Sequence, residues 1–331
     1  MQDLRIYDQW VSWAKARYNT PEKLKNLPYL IKFNESLKKI SVKHDIYFLF
    51  CDVIKAKFLS NTLLYRGGSP NYRLFKISPG GEYILNNPRY HLWKNCDIDS
   101  NILNLWNSFP NNRYEQSKKT IELPKSYDLF CLQLTGKIFD STNLPPGKMD
   151  LPSDDPRWNS KYLDRIMPRD EWATRDAIKY ATENKRYTIF KSHPVTSQPN
   201  VNCWKDFQKE GIINEYTIFV DRDGCNIDYL VDNADLVYSA DSAVSLNAML
   251  KGKRVATYYN TDLSEVIPQI FDSGELKTVR PVPEEDVKRF LTWYYYKLSF
   301  DIESANYEEK IENFVMNFKK GQRAKELFSC V

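Results

Sequence analysis

The sequence predicts an α/β protein in two domains, the second built on a parallel sheet. Three observations carry that expectation. From about residue 120 onward, short apolar runs alternate with amphipathic stretches at the spacing of repeated strand–helix–strand units. The chain has 331 residues, more than one ordinary core holds and enough for two. Before residue 120 the texture differs, and "NNRYEQSKK" (111–119) reads as a connector, which puts the domains at 1–120 and 121–305.

The first 40 residues read as amphipathic helix, and "HDIYFLF" (44–50) as a buried strand, because a short apolar run bounded by polar residues is a strand signature. "YRGGSPNYRLFKISPGGEYIL" (65–85) carries two glycine-containing turn signals around alternating apolar residues and reads as hairpin-like. "NILNLWNSF" (101–109) is a short helix. In the second half, "SYDLFCLQL" (126–134) is a strand and "LPPGKMDLPSDDPRWN" (144–159) a proline-rich loop. The helix at 169–185 repeats Ala173, Ala177 and Ala181 on one face and can be capped by Asp170.

Strands follow at 186–191, 216–220, 235–239 and 254–259. Helices lie between them at 204–211, 227–234 and 242–252, with Gly211 and Gly252 as stops. Two helices end the chain, one beginning after Pro283 and running through "LTWYYYKLSF", the other presenting Tyr307, Ile311, Phe314, Val315 and Phe318 on one face.

Composition narrows the function classes. With 47 basic and 43 acidic residues the net charge is +4, which admits an anionic ligand or a membrane-surface contact but lacks the concentrated basic face of a nucleic-acid binder. Only 11 glycines argue against a glycine-rich nucleotide loop. The longest apolar run, "IYFLFCDVI", is interrupted by Asp52 and is far shorter than the roughly 20 residues of a membrane span. Six scattered cysteines without a C-x-x-C pair and without a signal peptide predict reduced thiols in a cytoplasm. The three histidines, His44, His91 and His193, are too far apart in sequence for metal-ligand spacing, so no metal is expected.

An open parallel sheet binds ligands at the carboxyl ends of its strands. Three segments fall there. "LQLTGKIFDST" places Gln133 at a strand end with Asp140 beyond it, "KSHP" places Lys191 and His193, and "VYSADSAVSLNAMLKGKRV" leads from Ser239 into a helix at Ser242. A helix's first turn has unpaired N–H groups and a partial positive charge, so Ser242 either caps that turn or turns its hydroxyl to a phosphate. His193 is either a satisfied surface residue or a phosphate donor and proton carrier, its backbone restricted by Pro194. "DRDG" (221–224) reads as a turn ahead of a D-x-D metal motif, and the aromatics Tyr65, Tyr72, Trp93 and Trp106 read mainly as core.

These segments carry a family resemblance. "YTIFKSHP", followed about 40 residues later by "ADLVYSADSAVSLNAMLKGKRV", resembles the K-x-H-P and paired-serine elements of bacterial capsule-polysaccharide biosynthesis proteins and Kdo transferases, and "LQLTGKIFDST" resembles their Q-x-x-x-D stretch. The resemblance covers roughly residues 125–260. It implies a GT-B fold, two Rossmann-like domains with parallel sheets and a cleft between them. The acceptor is then held by the first domain and the activated sugar by the second, with the 306–331 segment packing back on the first.

His193 matches the histidine that contacts the donor phosphate, and Ser242 the first serine of the pair. Lys191 and Asp140 match positions of their elements, Ser239 and Asn247 fall in the serine element, and the resemblance implies that Lys191, Ser239 and Asn247 join His193 and Ser242 in binding the donor. Two departures stand out: Ala243 replaces the second Ser/Thr of the pair, and Asn247 replaces the usual glutamate.

What the resemblance implies is a metal-independent glycosyltransferase of surface-polysaccharide synthesis. It would move Kdo or a sialic-acid-like sugar from a CMP-linked donor to a glycan acceptor, with no resident cofactor, in the cytoplasm or peripheral to the inner membrane. Asp140, with Asp52 second, is the candidate carboxylate for the acceptor hydroxyl, and His193 the group at the leaving phosphate. Two alternatives remain: a UDP- or GDP-sugar transferase on another acceptor such as modified phage DNA, and a non-catalytic polysaccharide- or nucleic-acid-binding protein.

Overall fold

The computed structural model describes residues 27–50, 62–67, 73–79, 91–109, 117–132, 168–194, 197–240, 242–258 and 262–330. In chain order these form α1 (Leu27–His44), β1 (Tyr47–Phe50), β2 (Thr62–Gly67), β3 (Leu74–Pro79), α2 (Ile102–Ser108) and β4 (Asp128–Cys131). Next come α3 (Pro168–Glu183), β5 (Thr188–Lys191), α4 (Ser197–Lys209), β6 (Thr217–Val220), α5 (Ile227–Asn233) and β7 (Leu236–Ser239). The chain ends with α6 (Val244–Leu250), β8 (Arg254–Thr257), α7 (Glu284–Trp293), a π-helix (Tyr294–Leu298), β9 (Ser299–Asp301), α8 (Tyr307–Lys319) and α9 (Ala324–Leu327). Contacts divide the chain into two units, one of Met1–Tyr114 with Lys288–Val331, the other of Glu115–Val287.

The second unit carries the parallel α/β sheet the sequence predicts. Its strand order is β6-β5-β4-β7-β8, with every neighbouring pair parallel. β4, β5 and β7 are buried along their whole length, as strands covered on both faces must be. Ala173, Ala177 and Ala181 of α3 are fully buried, and their small side chains let that helix lie close in the core with Phe130, Phe190 and Tyr238. Gly211 and Gly252 take left-handed backbone just past α4 and α6, a conformation that stops a helix without a Cβ clash. α4 begins at Ser197, seven residues ahead of the helix read from sequence. Pro199 sits within its first turn, where a missing N–H removes no hydrogen bond.

The first unit departs from the parallel sheet implied by the resemblance. Its four described strands lie in the order β1-β2-β3-β9, and only β1 and β2 are parallel. β3 lies antiparallel to β2, as the hairpin-like reading of 65–85 expects, and β9 returns antiparallel to β3. The predicted single helix after Pro283 is therefore three elements. Its apolar periodicity runs on through "WYYYKL", but the backbone widens into the π-helix and Ser299–Asp301 is captured as a strand.

One face of this sheet is apolar. Phe33 of α1 stacks on Phe75 at 4.0 Å, and Phe314 of α8 meets Phe300 edge-on at 5.7 Å. α8 also joins α1 through Ser36 with Tyr307 (2.6 Å) and Lys43 with Glu312 (2.8 Å).

Two cysteines correct the expectation of reduced thiols. Cys96 and Cys330 are bonded as a disulfide, with Cα atoms 5.1 Å apart and 234 residues between them in sequence. Cys131, Cys203 and Cys225 are free and buried.

Candidate functional site

The strand order reverses about β4: β5 and β6 lie to one side, β7 and β8 to the other. That reversal is the switch point at which helices leave the sheet in opposite directions and open a crevice at the carboxyl ends. The register aligns Cys131 with Lys191 on one side and with Ser239 on the other. "KSHP" and "SADS" therefore leave the sheet at the same level, flanking the end of β4. Strands β5 and β7 are separated by about 10 Å, twice the inter-strand spacing.

On the β5 side the chain is held tightly. Lys191 is 5% exposed, and its ammonium donates to the carbonyl oxygens of Asp221 (2.6 Å) and Arg222 (2.7 Å). Ser192 Oγ donates to Asp221 Oδ1 at 3.0 Å, and Gly224 N–H closes the turn on Asp221 O at 3.0 Å. "DRDG" is thus the turn read from sequence, and Lys191 and Ser192 fasten the end of β5 to it. Burial lowers the Lys191 pKa, with the Asp221 charge opposing. The neighbouring Cys131 thiol is pushed up to about 12 by burial, so it stays protonated and is no nucleophile at neutral pH.

His193 follows, half-buried, and its backbone N–H donates to Asn200 Oδ1 at 2.9 Å. Asn200, buried in the first turns of α4, fixes where the histidine leaves the strand. No sequence motif marks Asn200. Its only signal was a short amide seven residues after the histidine and directly after Pro199.

On the β7 side, Ser239 is fully buried. Its Oγ accepts from Ser242 N–H at 2.9 Å and lies 3.2 Å from Ser245 Oγ. Ser239 thus shapes the turn from within. Ser242 is half-buried at the crevice edge, and its Oγ accepts from Val244 N–H at 3.3 Å. The helix begins at Val244, two residues later than the sequence predicts, and Ala243 occupies its N-cap without a side-chain bond, which leaves Ser242 one residue ahead of the cap. Asn247 Nδ2 donates to Asp228 Oδ1 at 2.7 Å, which ties α6 to α5.

The fold therefore brings His193, Ser239 and Ser242 to one edge. Lys191 is committed to carbonyls and Asn247 to Asp228. Asp140, Gln133, Asp52 and Asp241 lie outside the described residues. Trp93 and Trp106 are buried core, as read; the side chains of Tyr65 and Tyr72 are outside the description. Among the described residues no group of three or more His, Cys, Asp or Glu side chains could hold a metal ion, and no helix is long and apolar enough to cross a membrane.

No family model and no curated protein matches the sequence. Solved structures do. The chain is similar to a β-Kdo 2,7 transferase, KpsC of Thermosulfurimonas dismutans, at 12% identity, covering 95% of this chain and 97% of that one with a TM-score of 0.44. A β-Kdo 2,4 transferase, also KpsC of that organism, matches at 12% identity over 70% of each chain with a TM-score of 0.38. A UDP-GlcNAc 2-epimerase from Methanocaldococcus jannaschii matches at 13% identity over 60% of this chain and 50% of that one, with a TM-score of 0.30.

Proposed function

We propose that the protein is a glycosyltransferase whose donor, a CMP-linked Kdo or sialic-acid-like sugar, sits at the carboxyl edge of the parallel sheet. The acceptor in this reading is a glycan of a surface polysaccharide. The observation that carries the reading is that β5 and β7, about 10 Å apart on either side of β4, end in register at Lys191 and Ser239 and lead within three residues into His193 and Ser242. A phosphate placed over the end of β4 meets donors from both sides.

In the proposed reaction the bond between the anomeric carbon and the phosphate oxygen breaks, and its electron pair stays on the phosphate. An acceptor hydroxyl forms the new bond to that carbon and gives up its proton. His193 and the Ser242 hydroxyl stabilise the charge that develops on the leaving phosphate, because donors already in place need no reorganisation as the bond breaks. Asn200 and Ser239 hold those two residues and act as positioning groups. The carboxylate that takes the acceptor proton is Asp140 in this reading.

The reading is tested by incubating the protein with CMP-Kdo and with CMP-sialic acid and measuring CMP release, then repeating with His193→Ala. Release by the wild type and its loss in the variant support it. Absence of release from both donors, or full activity in the variant, overturns it. A UDP- or GDP-linked donor is the second reading, favoured by Ala243 and by an Asn247 amide already bonded to Asp228. Ligand-dependent thermal stabilisation by CMP, UDP and GDP separates the two.

A further inference from the structure

The parallel sheet of the second unit has two edges, and the chain treats them differently. At the β8 edge, Thr257 N–H donates to Pro268 O at 3.0 Å, Thr257 O accepts from Ile270 N–H at 2.8 Å, and Arg254 forms a bridge with Pro281. The segment from Pro268 to Pro281 therefore covers that edge. At the other edge, β5 is the only strand paired with β6 among the described residues.

β6 is apolar where an edge strand is usually guarded by charge or proline. Ile218 and Phe219 are part-exposed, and "YTIFV" (216–220) contains no proline and no charged residue. Tyr187, 39% exposed, lies against Tyr216 at 5.5 Å, and Ile212 and Ile213 are part-buried just ahead of the strand. An edge of this composition is a template for pairing with another strand.

The backbone groups along the edge say which strand fits. Thr188 N–H donates to Tyr216 O at 2.8 Å and Ser192 N–H to Val220 O at 2.9 Å, so the even-numbered residues of β6 face β5 and the odd-numbered ones face out. Two outward groups are already used within the chain. Thr217 N–H donates to Asn214 O at 3.1 Å, and Asp221 O accepts from Gly224 N–H at 3.0 Å and Lys191 Nζ at 2.6 Å. Among the described residues, what remains is Phe219 N–H, Phe219 O, Thr217 O and Asp221 N–H.

That set is self-complementary. In antiparallel pairing about a two-fold axis at Phe219, the two Phe219 residues exchange both of their bonds, and each Asp221 N–H meets the other copy's Thr217 O. The groups such pairing leaves over, Thr217 N–H and Asp221 O, are the two the chain has already satisfied.

We propose that β6 is a self-association edge, at which two copies of this chain pair β6 with β6 about Phe219 and join their five-stranded sheets into one continuous sheet. Ile218 then lies opposite the other copy's Val220, and apolar side chains left part-exposed in one chain are covered by the second. The pairing does not depend on the nucleotide reading of the carboxyl edge.

The test measures mass and backbone protection together on the full-length protein. Sedimentation equilibrium from micromolar to near-millimolar concentration should show a reversible rise from the mass of one chain to that of two. Amide hydrogen exchange over the same range should show the outward Phe219 N–H becoming protected as the dimer forms. Phe219→Pro removes that N–H without removing a bond to β5, and should weaken association by about tenfold or more, since each dimer loses two central bonds.

Ile218→Lys sets a charge against the other copy's β6 and should weaken association as well; it carries the test if Phe219→Pro fails to fold. A monomer at every concentration overturns the proposal. So does a dimer in which the Phe219 amide exchanges freely, or one whose affinity is unchanged in the folded variants, since either joins the chains at another surface.

Discussion

Replacing Asp301 with alanine should destabilise the first unit more than any surface change. Its carboxylate accepts from Arg73 Nε at 2.6 Å and Arg73 Nη2 at 2.7 Å, from Tyr295 OH at 2.7 Å and from Glu303 N–H at 3.1 Å. The Asp301 side chain is 3% exposed and that of Arg73 26%, so the pair is buried at one end and wetted at the other. Removing one partner of a buried pair costs about 3–5 kcal/mol, chiefly through the charge left behind. Here Arg73 keeps Glu303 at 2.9 Å and some water, which places the loss near the lower end, about 3 kcal/mol.

At about 2–4 °C per kcal/mol for a unit of this size, the transition should move down by on the order of 10 °C. Scanning calorimetry of wild type, Asp301→Ala, Arg73→Leu and the double variant gives both the shift and the coupling between the two side chains. The double variant should lose less than the sum of the single ones, by about 1 kcal/mol or more. A shift of the Asp301→Ala transition within error of wild type, or additive losses, would show that the pair is not the brace the geometry describes.

Three further outcomes follow from the same reasoning. Burial opposes ionisation of Asp301, but its bonds from Arg73 and Tyr295 outweigh it and hold its pKa below the usual aspartate range. Its contribution to stability is therefore present above the unfolded aspartate value of about 4 and fades as pH falls below it, a loss that Asp301→Asn should not show in acid-unfolding curves. Cys330→Ser, or reduction of the wild type, should lower stability by roughly 2–5 kcal/mol, because the disulfide closes a long loop in the unfolded chain; equal urea midpoints with and without reductant would refute this. Ala177→Leu should destabilise the second unit by about 1–3 kcal/mol or more, since the alanine is fully buried in the core and leucine adds an isobutyl group's bulk there, and urea unfolding checks it.

The parallel sheet was legible because each of its strands is a short apolar run with polar residues at both ends, flanked by helices with their own stops. His193 and Ser242 were legible as edge residues for the same reason: once the strands are located, their carboxyl ends are known. What the residues next to them do was not legible. Lys191 and His193 look equally available in "KSHP", yet the lysine turns into two carbonyls of the β6 turn, a partner set only the folded chain supplies.

Asn247 likewise finds Asp228 on a preceding helix, 19 residues away in sequence. β9 was hidden because "YYYKLSF" continues the apolar rhythm of a helix, and Ser299–Asp301 becomes a strand only by pairing with β3. The Cys96–Cys330 bond was hidden by distance along the chain, since no local spacing announces a partner 234 residues away.

In the function proposed for the chain, the carboxyl edge of the second unit's sheet holds a nucleotide phosphate between His193 and Ser242. Isothermal titration of CMP into the wild type and into His193→Ala tests it most directly. Saturable binding by the wild type, weakened about tenfold or more in the variant by loss of one charge-assisted donor, is the predicted result. No binding by the wild type, or the same affinity in both proteins, would contradict it.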